Sequence, residues 1–97
     1  MRKLDIRPAF ERDVRRLKKA RVAIDWETLR FVFSEVIQGN DIEAALKPHP
    51  LKREWAGWHD FHLEDDLLVI YRLTGSWATF HRIGTHSDLF RCWRPRR

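Results

Sequence analysis

The chain has 97 residues, 43% hydrophobic and 34% charged, with a formal net charge of +5. That size suits one domain spanning residues 1–97 with one core, and the composition is that of a globular protein. No stretch approaches the roughly 20 apolar residues of a membrane span. MRKLDIR is followed by no apolar run of a signal peptide, and the lone Cys92 excludes an internal disulfide and a cysteine-based zinc site. A cytoplasmic protein without metal or cofactor is expected.

The elements follow in chain order. Residues 3–7, KLDIR, alternate like a short strand ending at Pro8. From residue 9 to 21, Phe10, Val14 and Leu17 form a helical apolar stripe, while Arg12, Arg15, Arg16 and Lys19 fall mostly on other faces. Asp25 is a suitable N-cap for a second helix, with Leu29, Val32, Phe33, Val36 and Ile37 inward and Gly39 as its stop. A short turn through Ala44 to Leu46 ends at Pro48. The period then changes. Residues 55–64, 66–73 and 77–85 read as strands, with Asp65 and Asp66 at the first bend and Thr74-Gly75-Ser76 closing a hairpin. The order predicts an α+β fold: one strand, two helices, then a three-stranded antiparallel meander, with helices on one sheet face and the other face open to a ligand.

Charge is segregated. Residues 1–21 carry nine Lys/Arg against three Asp/Glu, residues 22–70 four against ten, and residues 71–97 six against one. If folding brings the two basic ends together, they form one face suited to a polyanion. Scattered solvated charge explains the counts equally well.

The stretch 49–66, HPLKREWAGWHDFHLEDD, concentrates three histidines, two tryptophans and a run of acids. His49 lies between two prolines that restrict its backbone. His62 and Asp66 read either as catalytic groups or as a structural pair at a strand end. Arg82 reads as a phosphate ligand or a solvated strand residue. His86 and Phe90 read as site residues or as the cap and anchor of a short turn. His59 and His81 are assigned to surface or packing, and His59 and His62 fall on opposite faces of a strand, a poor metal pair. Trp55 and Trp77 are assigned to packing and Trp93 to an exposed tail, while Gly57 and Gly84 suit a bulge or a close backbone approach.

HPL at 49–51, W-x-G at 55–57, H-x-x-x-D at 62–66 and R-x-G-T-H-x-x-L-F at 82–90, in this element order, resemble the YafQ-like branch of the RelE/ParE toxin superfamily. The resemblance implies a RelE-like fold and a bacterial type II toxin that cuts messenger RNA on the ribosome without a metal. It also implies a partner antitoxin of ribbon-helix-helix type, with operator DNA reached only through that complex. The family's functional positions fall on His49, His62, Asp66, His86 and Phe90, with Arg82 matching the basic residue of the last strand. Independently of the resemblance, the basic helix offers Arg12, Arg15, Arg16 and Lys19 as further phosphate ligands. The residues satisfy the chemistry such cleavage needs: a base for the ribose 2′-proton, an acid for the departing 5′-oxygen, and positive charge at the phosphate. Two rivals are a gyrase-inhibiting toxin of the same superfamily, which needs no histidine cluster, and a non-catalytic RNA-binding module.

Overall fold

The computed structural model describes residues 1–64 and 66–90. Asp65 at the expected bend, and Cys92, Trp93 and the basic tail, lie outside the described residues.

Strands β3 (His59–Glu64), β4 (Leu67–Leu73) and β5 (Trp77–Thr85) form the expected antiparallel meander. The sheet is larger than expected, with five strands in the order β1-β5-β4-β3-β2. β1 (Lys3–Ile6) runs parallel to β5, matching Lys3 to Trp77 and Ile6 to Phe80, and β2 (His49–Pro50) pairs antiparallel with β3. β1 thereby covers part of what would otherwise be an open outer edge of β5. β3 begins at His59 rather than at Trp55 because Arg53–Trp55 closes a 3-10 turn and Gly57 follows with φ +93°.

Helix α1 is Pro8–Lys19. Pro8 opens it rather than preceding it, since the first helical position has no N–H to satisfy. The helix ends with Arg21 in the left-handed region (φ 62°), its amide on Lys18 O and the Val22 amide on Leu17 O. Helix α2, Trp26–Ile37, is capped as expected: the Asp25 carboxylate accepts from the Thr28 amide (3.1 Å) and hydroxyl (2.7 Å). Those bonds hold its carboxyl below the ordinary range. Gly39, at φ +97°, closes α2, with its amide on Val36 O and the Asn40 amide on Glu35 O, a Schellman arrangement.

Both helices lie on one sheet face. Phe10 and Leu17 of α1 and Leu29, Val32 and Val36 of α2 pack on Phe61, Leu63, Leu67, Val69, Tyr71, Phe80 and Ile83. Trp77, expected in the packing, is instead 46% exposed with Lys3 Nζ 5.9 Å above its ring, because β5 starts beyond the helix cover.

The opposite face is not simply open. Leu68 and Ile70 are covered by Leu51, Trp55, Trp58 and by Leu89 and Phe90 of a short third helix, α3 (His86–Phe90). Gly84 allows that helix to approach, since a Cβ there would stand 3.2 Å from Leu89 Cδ2. Pairing is irregular elsewhere: at His81, where it passes from Ile70 with Arg82 to Tyr71 with Phe80, and at Leu63, where it passes from His62 with Leu68 to Glu64 with Leu67. Beside β2 and the start of α3, this face retains a cavity.

Candidate active site

Strand register builds the site. His49 of β2 pairs with Asp60 of β3, Asp60 with Ile70 of β4, and Ile70 with Arg82 of β5. Paired residues share a face, so these four form a row across the sheet on the face away from α1 and α2. The neighbouring row holds His62, Leu68 and Gly84. An apolar floor, Leu68 and Ile70, thus separates two polar flanks.

On the first flank, His49 Nδ1 lies 3.1 Å from Asp60 Oδ1 and also 3.1 Å from Lys47 O. The carbonyl takes the aligned hydrogen bond. The carboxylate makes a close charge contact, and Asp60 Oδ1 is left buried without an aligned donor. Asp60 is only 2% exposed, and burial pushes its carboxyl up against the pull of His49, His62, His86 and His59. The His62 ring stands 6.1 Å from that of His49. The Nδ1–H directed at the carbonyl leaves His49 Nε2 as the ring's acceptor.

On the second flank, α3 starts at His86. Its amide faces Asp66 Oδ1 at 3.4 Å, and its ring lies 5.2 Å from Phe90. Phe90 meets the edge of Trp55 at 6.4 Å. His49, Asp60, His86 and Phe90, with Pro50 and Trp55, line one cavity of about 320 Å³, rimmed by Lys52 and Arg53. The structure therefore gathers His49, His62, Asp66, His86 and Phe90 at one end of the sheet.

Sequence reasoning missed Asp60, which sits at the centre of this cluster. Its signal was available: two residues before His62 in a strand, it must share that histidine's face. Arg82, expected at a phosphate, has its Nε 2.6 Å and Nη2 3.0 Å from the buried Asp13 carboxylate of α1, and its side chain is 26% exposed. The basic helix is divided. Arg16 turns to Asp13 and Asp88, Arg15 lines a groove toward α2, and Arg12 and Lys19 are exposed.

His59 stacks near Tyr71 on the helix side of the sheet, 5.7 Å between rings, away from His62. Burial, with the Asp60 and Asp41 charges, pushes the Tyr71 hydroxyl up to about 12. His81 stacks on Trp58 at 5.0 Å and lies 5.6 Å from Trp55; burial and the Arg82 and Arg7 charges push it down. Among the described residues, no group of three or more His, Cys, Asp or Glu is disposed to hold a metal, and no helix is long and apolar enough to cross a membrane.

Comparison with known proteins shows the family and the fold. Residues 2–91 match the family described as the bacterial toxin of type II toxin–antitoxin system, YafQ. The mRNA interferase toxin YafQ of Escherichia coli (strain B / BL21-DE3) is 35% identical over 82 residues, 84% of this chain and 87% of that protein. The crystal structure of YafQ from E. coli BL21(DE3) superposes with a TM-score of 0.79 at 32% identity, covering 93% of this chain and 99% of that one. The toxin fold also matches in the E. coli DinJ–YafQ complex (TM-score 0.77, 33% identity, 93% and 99% covered). A metal-bound toxin from Helicobacter pylori matches with a TM-score of 0.77 at 27% identity, over 93% and 100%. Sequence and backbone agree over nearly the whole length, and the chain belongs to the YafQ family of bacterial type II toxin–antitoxin toxins.

Proposed function

We propose that this chain is a ribosome-dependent mRNA endonuclease that uses the ribose 2′-hydroxyl as nucleophile and needs no metal. The observation that carries the reading is the shared cavity of His49, Asp60, His86 and Phe90, with His62 and Asp66 beside it. The relatives' description as mRNA interferases supports it.

In this reading, His49 takes the 2′-proton. The Lys47 carbonyl fixes its tautomer, and the nearby Asp60 carboxylate stabilises the imidazolium that forms. The 2′-oxygen bonds to phosphorus as the bond to the 5′-oxygen breaks, and His86 protonates that oxygen. The product end is a 2′,3′-cyclic phosphate. Asp66 holds the start of α3, and thereby His86, through the amide contact. Arg82 supplies positive charge and His62 a hydrogen bond to the phosphate, and Phe90 stacks on an unpaired base. Between cleavage events an antitoxin covers this toxin, as the DinJ–YafQ complex of the relative suggests.

Single-turnover cleavage of ribosome-bound messenger in EDTA tests the assignment. His86→Ala is expected to lose about 10²- to 10⁴-fold in rate while still sedimenting with ribosomes. Loss of wild-type activity in EDTA would refute the metal-free step, and a His86→Ala protein as active as wild type would refute the enzyme. The same experiment separates an enzyme from a pure RNA-binding module.

A further inference from the structure

We propose that Asp13, a residue of the helix layer, is a positioning residue for cleavage: it fixes the Arg82 guanidinium over the site face. This inference rests on the nuclease reading above and assigns that site a support that lies outside the cavity.

The geometry begins at a strand end. β1 stops at Ile6, opposite Phe80, so β5 continues through Ile83 and Gly84 without a strand at its outer edge. The Asp13 carboxylate takes the place of that missing strand. Its Oδ2 accepts the Ile83 amide at 3.0 Å and Arg82 Nε at 2.6 Å, and its Oδ1 faces Arg82 Nη2 at 3.0 Å and Arg16 Nη1 at 3.2 Å. Three N–H donors and the Arg16 charge thus converge on a carboxylate that is 2% exposed. A buried charge is retained at such cost only when every lone pair is used, and an apolar pair of similar volume often serves stability as well. What an apolar pair cannot supply is direction.

Arg82 is the β5 member of the row His49, Asp60, Ile70, Arg82. Its Cα therefore stands two strand spacings, about 9–10 Å, from that of Asp60. Ile70 between them is covered, so a phosphate in the cavity beside it would meet the proton-transfer groups there and have the guanidinium toward the β5 end of the row. The fork to Asp13 locks the guanidinium plane, so its orientation is set before substrate arrives. Arg16 extends the support. Its Nη2 lies 4.0 Å from Asp88 Oδ2 on α3, the helix that carries His86, so one carboxylate of α1 ties both cationic sides of the site to the core.

The test uses Asp13→Asn, which keeps the size and removes the charge, and Arg82→Lys, which keeps the charge and removes the fork. Single-turnover cleavage at saturating toxin, ribosome sedimentation and thermal unfolding are measured on each variant and on the double variant. Each single change is expected to lower the rate about 10²-fold, the scale of an ångström-sized misplacement. Ribosome binding is expected to persist, and the double variant to lose no more than either alone. A merely structural Asp13 predicts a lower Tm, a wild-type rate for the folded protein, and losses that multiply with Arg82→Lys; that result overturns the proposal. Should Asp13→Asn fail to fold, Arg82→Lys alone decides, since a wild-type rate there also overturns it. His86→Ala run in parallel separates the two claims. Wild-type protein that does not cleave defeats the nuclease reading and this inference together. An inactive His86→Ala beside fully active Asp13→Asn and Arg82→Lys defeats this inference alone.

Discussion

Asp60→Asn should stabilise the protein and inactivate it at once. The Asp60 carboxyl is almost fully buried, its Oδ1 has no aligned donor, and its facing partner His49 is 53% exposed. A half-exposed partner returns at most about 1 kcal/mol, whereas leaving a buried polar group without a hydrogen bond costs about 1–3 kcal/mol. Replacing the charge by an amide of equal size should therefore gain about 1 kcal/mol at pH 8, a rise in Tm of about 4–8 °C for a domain of this length. The sign follows from linkage. Burial raises the folded-state carboxyl above its unfolded value, so the folded state favours the protonated form, and the wild type loses stability as pH rises through that raised value. Near pH 4 the wild-type carboxyl is itself protonated for much of the time, and the difference should shrink. Thermal unfolding of both proteins at pH 4 and pH 8, with single-turnover cleavage, makes the measurement. A lower Tm at pH 8, or an equal shift at both pH values, would refute the burial argument; retained cleavage would remove Asp60 from the chemistry.

Arg21→Gly should stabilise the end of α1 by about 1 kcal/mol, because Arg21 occupies the left-handed region at φ 62°; urea unfolding with no gain in midpoint would contradict this. Gly84→Ala places a methyl 3.2 Å from Leu89 Cδ2 and should displace α3, lowering cleavage about tenfold through His86, roughly 1.4 kcal/mol of barrier; a wild-type rate would show that α3 yields without moving the histidine. Arg12→Glu with Lys19→Glu reverses two exposed cations that no described ion pair uses, and should weaken ribosome binding and flatten its salt dependence while Tm holds. Unchanged sedimentation across salt concentrations would place the RNA face elsewhere.

The helices and the meander were legible because they rest on local signals: an apolar stripe, an N-cap, a terminal glycine, and period-two runs separated by turns. The pairing of β1 with β5 was not, since a four-residue alternating segment specifies a face and no partner. β2 was invisible because two residues, one a proline, carry no period. In the site, the histidines stood out by residue type, whereas Asp60 was hidden among polar neighbours until register placed it opposite His49. Asp13 was hidden in a different way. It lies three residues after Phe10 and four before Leu17, in the buried stripe itself, and a charge in that stripe was the available sign of a buried pair.

The arrangement also explains how so small a domain holds so polar a site. β4 is buried on both faces from Leu67 to Tyr71, so this part of the central strand contributes no charged group to either layer. The charged and titratable members of the site come from flanking elements, β2 and β3 on one side and β5 and α3 on the other, and from Asp66 in the turn before β4. Each buried carboxylate is handled differently. Asp13 is surrounded by donors and acts as a fixed anchor, while Asp60 is left short of them beside a half-exposed histidine. A fully satisfied charge fixes orientation, and an under-satisfied one responds when a neighbouring imidazole gains a proton. Asp60 stands within the cross-strand row and Asp13, from α1, holds the arginine at its far end, and the division of labour between holding a cation and answering a proton follows from their hydrogen bonds.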